Sequence, residues 1–153
     1  ILIILAGISD DLANKLYDEA LKLNMSVIVE VHTVEEAKKA LNFKEALIGI
    51  NNRNLKTLKT EITTTYDISN VLVNHPGPLI SESGIKTKEE LLEINKKTKI
   101  KTFLIGESLL KNLKNNSIFS VLWSNKPLFS SFLISCYIIR TFVEHVCTIF
   151  VLC

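Results

Sequence analysis

Apolar residues gather in short runs at 1–6, 26–31, 46–50, 79–81 and 102–105, each followed by a longer segment with helical periodicity. Uninterrupted runs such as 1–6 fit strands buried on both faces. From Asp10 onward, Leu12, Leu16, Ala20 and Leu23 recur at helical spacing, with Ser9 placed as N-cap and Asn24 as stop. Thr33 with Glu36, and Thr87 with Glu90, have capping-box spacing and open helices reaching about residues 42 and 97. The stretch 63–72 predicts a helix despite three threonines, Pro76 and Pro78 flank a turn, and 107–114 starts a last helix.

Strands alternating with helices at this interval predict βαβ units and a parallel sheet. Such units form either an open doubly wound sheet or part of a (β/α)8 barrel. Polar side chains follow several successive strands, whereas an open sheet concentrates its site at one switch point, so a barrel fits better. Eight units need about 250 residues, and the chain has 153, so an incomplete TIM barrel of about five parallel β/α units is expected. The apolar start has no basic lead and no methionine, and it reads as an interior strand rather than a leader.

Charge divides the chain. Residues 1–116 hold 16 of the 18 basic and 15 of the 16 acidic side chains, leaving only Lys126, Arg140 and Glu144 beyond them. This gives a partial-barrel domain at 1–116 and a hydrophobic tail at 117–153. The near-balance, +2 overall, argues against nucleic-acid binding. Cys136, Cys147 and Cys153 all lie in the tail, at spacings that fit neither a zinc site nor a redox pair, and no metal is expected. Cysteine-free residues 1–116 are compatible with a reducing cytoplasm. The tail's longest uncharged run, 127–139, is too short to span a bilayer, which takes about 20 residues. A membrane role is therefore disfavoured, although the tail leaves it open. An incomplete barrel edge invites self-association.

Candidate chemistry sits at the strand ends. Glu30 and His32 follow one strand and share a face, which makes Glu30 a general-base candidate, while His32 reads as a capping or packing group. In the segment 49–55, Gly49 lets a neighbouring backbone approach, Asn51 can orient a hydroxyl, and Arg53 offers a fork to an anion, the alternative being an asparagine-rich turn. After the next strand, Glu82 can reach the barrel mouth, with Ser83 and Gly84 as anion donors. Gly106 and the helix start behind it offer a second set of free N–H groups, the pairing typical of a barrel phosphate site.

These segments resemble the indole-3-glycerol-phosphate synthase family. The likeness rests on VEVH at 29–32, IGINNRNL at 48–55, ISESGI at 80–85 and FLIGESLL at 103–110, over about residues 1–113 and the family's fourth to eighth strands. It implies a lyase of tryptophan biosynthesis that closes, decarboxylates and dehydrates a carboxyphenylamino-deoxyribulose phosphate without a cofactor. Glu30 would then be the acid–base carboxylate of the dehydration, Asn51 would orient substrate hydroxyls, and Glu82 would stand in the site. Arg53 would fix the loop or an anionic group, and Leu55 would line the aromatic pocket. Ser83, Gly84, Gly106 and Glu107 would surround the phosphate, Glu107 through its backbone N–H. The family's early strands carry a glutamate and catalytic lysines that have no counterpart here, and Lys15, Lys22 and Lys38 lie on helices. This chain alone is therefore expected to be nearly inactive. A non-catalytic barrel remnant, and another phosphate-binding barrel such as a phosphoribosylanthranilate isomerase, are the alternatives.

Overall fold

Helix ends in this chain are written locally. In the computed structural model, which describes residues 1–98, 100–106, 108 and 149–152, α1 (Asp10–Lys22) starts where Ser9 Oγ accepts the Leu12 N–H at 3.3 Å. It ends in a Schellman motif: Asn24 takes a left-handed φ of 54° while Met25 N–H donates to Ala20 O and Asn24 N–H to Leu21 O. Thr33 Oγ1 caps α2 (Val34–Ala40) by accepting the Glu36 N–H. At α4 (Lys88–Thr98) the capping box is reciprocal, since Glu90 Oε2 accepts the Thr87 N–H and Thr87 Oγ1 accepts the Glu90 N–H. The remaining helix, α3 (Thr63–Val71), lacks a side-chain cap.

Between these helices run β1 (Leu2–Ile4), β2 (Ile28–Val31), β3 (Leu47–Asn51), β4 (Leu79–Glu82) and β5 (Thr102–Ile105). All five are parallel and lie side by side in chain order. An open doubly wound sheet would reverse that order at its switch point. No reversal occurs, and α2 packs on α3 and α3 on α4 along one side of the sheet. The architecture of the described residues is five successive strands of a (β/α)8 barrel with the four helices that join them.

Strand alternation separates two faces. Ile3, Val29 and Ile48 align across the strands, as do Val31, Ile50, Ser81 and Phe103, and this face packs against Ala13, Ala37, Ala40, Ile68 and Ile94 of the helices. Alanines on α1 and α2 let those helices lie close to the sheet. Burying each large aliphatic side chain here contributes about 1.5–3 kcal/mol. The opposite, barrel-interior face carries Leu2, Ile4, Glu30, Gly49, Asn51, Ile80, Glu82 and Leu104.

Two boundaries depart from the expected ones. The first apolar run stops being strand at Ile4, and Leu5–Gly7 form a 3-10 turn that leads toward α1. One further strand, β6 (Ile149–Leu152), pairs antiparallel with β5 and comes from the apolar tail, where no strand was anticipated. Apart from Ser108, the helix expected at 107–114 lies outside the described residues, as do Trp123, the three cysteines and most of the tail.

Candidate active site

Glu30, one residue before the end of β2, and Glu82, the last residue of β4, lie on the interior face with β3 between them. Both are buried, at 6% and 4% exposure. The intervening strand makes room for them: the residue aligned with Glu30 is Gly49, and a Cβ there would overlap Glu82 Oε1. The close approach expected at Gly49 is thus made by a side chain rather than by a backbone. Two residues on, Asn51 Nδ2 donates to Glu30 Oε1 at 3.0 Å, and Asn51 Oδ1 accepts the Arg53 N–H at 2.9 Å. Asn51 therefore holds Glu30 and its own loop as well as facing the mouth.

Burial, then the charge of Glu30 and a hydrogen bond between the two carboxyls, pushes Glu82 up to about 8. Near neutral pH its burial beside a second carboxyl therefore favours the protonated form of Glu82. Two carboxyls whose surroundings differ are the setting in which acid and base roles can be divided.

The loop after β3 is folded by its asparagines. Asn54 Oδ1 accepts the N–H groups of Lys56 and Thr57, and Arg53 bridges Thr60 antiparallel. It walls a cleft of about 310 Å³ lined by His32, Asn51, Arg53, Leu55, Lys56 and Lys59. Leu55 is half exposed there. Ser83 and Gly84 leave β4 with φ of 64° and 76°, and Thr60 Cβ fills the space beside Gly84. Ser83 in the left-handed region is strained, as residues at functional turns often are. The loop carrying Gly106 lies beside it, because Ser108 Oγ donates to Ile85 O at 2.8 Å. Glu107 lies outside the described residues. A larger cleft of about 530 Å³, which neither Glu30 nor Glu82 lines, lies between Thr60, Tyr66, Gly84, Lys86 and Glu90.

Residues 1–120 match the family profile of indole-3-glycerol phosphate synthase. The chain belongs to the indole-3-glycerol phosphate synthase family. It is 42% identical over 111 residues to the indole-3-glycerol phosphate synthase of Hyphomonas neptunium, covering 72% of this chain and 41% of that protein. The Magnetococcus marinus synthase is 43% identical over 112 residues, covering 72% and 41%. For the Aquifex aeolicus synthase the figures are 40% over 113 residues, covering 73% and 44%. The chain thus spans less than half the length of the synthases it matches.

Three residues outside the expected set complete the site. Asn52 is buried on the helix-covered side of β3, where Nδ2 donates to Ser81 Oγ and Ser83 O and Oδ1 accepts from Thr65 N–H and Oγ1–H. It fastens β3, β4 and α3 at the root of the synthase-like loops. Its signal was available: Ser81 is a polar residue inside an apolar strand, and alternation sets Asn52 opposite to Asn51. The other two, His32 and Glu36, extend the carboxylate cluster. His32 Nε2 lies 3.1 Å from Glu30 Oε1 and Nδ1 lies 3.5 Å from Glu36 Oε2. The capping reading of this segment is altered in one respect, because Glu36 Oε2 accepts the N–H of His32, at 2.7 Å, rather than that of Thr33.

Proposed function

We propose that this chain supplies the phosphate grip and acid–base half of an indole-3-glycerol phosphate synthase site, acting in the cytoplasm on a phosphorylated arylamino sugar. One observation carries this reading: Glu30, Asn51 and Glu82 stand on one face, at or beside the ends of three adjacent parallel strands, with Asn51 bonded to Glu30. Asn51 fixes Glu30, so the ionised carboxylate meets substrate in one orientation. Glu30 removes the proton that must leave in the dehydration, and Glu82 keeps the pair from carrying two charges. Ser83, Gly84 and Gly106 receive the phosphate, and Leu55 meets the aromatic ring. Ring closure also needs a cation at the leaving oxygen. The lysines of α1 and α2 lie on helices outside the interior face, and Lys56 and Lys59 stand on the loop after β3; in this reading the cation comes from the family's earlier strands.

The test is an indole fluorescence assay of ring closure, run on the full chain alone and with a polypeptide carrying the first three strands of a family synthase. Turnover only in the mixture, lost with Glu30→Gln, is expected. Full turnover by this chain alone, or turnover in the mixture indifferent to Glu30→Gln, would overturn the reading. Among the described residues no helix is long and apolar enough to cross a membrane.

A further inference from the structure

His32 is a buried imidazole, its side chain 8% exposed, and the reaction scheme above does not use it. Neither ring nitrogen has a partner in hydrogen-bond geometry among the described residues, yet a carboxylate oxygen lies near each. Such a group is costly unless its surroundings need it. The residue is also firmly placed. Its backbone N–H is held by Glu36, whose own N–H is fixed by the Thr33 cap, so α2 and the end of β2 locate the ring together.

We propose that His32 is a positioning residue that decides which carboxyl of the Glu30–Glu82 pair carries the shared proton, by presenting a proton-bearing Nε2 to Glu30 while Glu36 holds the backbone N–H of His32. A bare Nε2 lone pair facing Glu30 Oε1 at 3.1 Å would be repulsive, so that nitrogen carries the hydrogen. The terminal torsion of histidine is soft, and a small ring rotation aligns the N–H with Glu30. Glu30 then has two donors, His32 and Asn51, whereas Glu82 is buried beside the carboxyl of Glu30. Donors favour the ionised form, so charge settles on Glu30 and the proton on Glu82.

The groups around Glu30 can be named element by element. From β1 comes Ile4, which is apolar. From β2 comes His32, from β3 Asn51, from β4 Glu82, and from α2 Glu36 behind the imidazole. Arg53, Lys56, Lys59 and Glu61 line the adjoining cleft. The functional weight of this inference rests on the acid–base role of Glu30 proposed above. Its test does not, because proton location is read without substrate or turnover.

Carboxyl carbon NMR of the full chain, labelled at glutamate Cδ, reads each carboxyl through a pH titration, with Glu30→Gln and Glu82→Gln supplying the assignments. The step near pH 8 is expected to belong to Glu82. In His32→Phe, which keeps a ring and removes both nitrogens, the preference for Glu82 should fall by about tenfold, the weight of one charge-assisted hydrogen bond. Glu30 then takes a visible share of the upper step. His32→Gln, which can still donate, should restore most of the preference. An upper step on Glu30 in the wild type, or an unchanged split in folded His32→Phe, would overturn the inference. Should His32→Phe not fold, Glu36→Gln keeps the cap and removes only its charge. A change of about two- to threefold in the split then supports the inference, and none overturns it.

Discussion

The two faces of the sheet are made by the same strands and do opposite work. On the helix-covered face, Ile3, Val29, Val31, Ile48 and Ile50 are almost fully buried, and among the described residues no charge intrudes. One residue along each strand, the interior face puts two carboxyls together, forces one to keep its proton, and leaves Leu2 52% exposed. A one-residue slip in register would exchange the faces and abolish both. The comparison teaches that stability and chemistry are interleaved at a period of two, and that the stable face holds the strained one in place.

Four substitutions probe this contrast. The largest effect belongs to Glu82→Gln. In the folded chain Glu82 keeps its proton to about pH 8, against an ordinary value of 4.5. The stability tied to this group is therefore whole below pH 4.5 and is lost as the pH climbs through 8. Each pH unit of that window is worth about 1.4 kcal/mol. Urea denaturation above pH 8 should find the glutamine variant the more stable by several kcal/mol, with the difference shrinking toward pH 5. Equal slopes for the two proteins would show that the interior face is not strained by this carboxyl.

On the other face, Ile50→Ala should cost about 3 kcal/mol by the same method, with little dependence on pH. Asn52→Ala links the faces. It leaves Thr65, Ser81 and the Ser83 carbonyl short of partners, and a loss of about 2 kcal/mol is expected. Hydrogen exchange should also quicken at residues 81–85 in that variant. The smallest effect is reserved for Ser9→Ala at the edge of both faces, about 1 kcal/mol from one cap. A loss as large as that of Ile50→Ala would mean that β1 and α1 carry more of the fold than their position suggests.

Much of this arrangement could be read from local chemistry. Ser9, Asn24, Thr87 and Glu90 act as their residue types dictate, because caps are decided within a few positions. The grouping of Glu30, Asn51 and Glu82 followed from parallel strands sharing a mouth. What escaped was decided by neighbours distant in sequence. His32 looked like a loop histidine, since its setting depends on Glu30 and Glu36 converging on one ring. Asn52 looked like a second turn asparagine, although its partners lie 13 to 31 residues away. Gly49 was read as a backbone contact because Glu82, two strands from Glu30, supplies the atom that would clash. The sixth strand was missed for another reason: an apolar run without alternation does not tell which edge it will pair with.

Backbone amide NMR of the full chain, titrated with indole-3-glycerol phosphate, tests most directly whether the strand ends form one site. Signals of Glu30, Asn51, Ser83, Gly84 and Gly106 should move together along a single binding curve, while Ile3, Ile48 and Ile50 stay still. Shifts confined to one of these loops, separate curves for the carboxylate and glycine positions, or movement centred on the helix-covered face would contradict it.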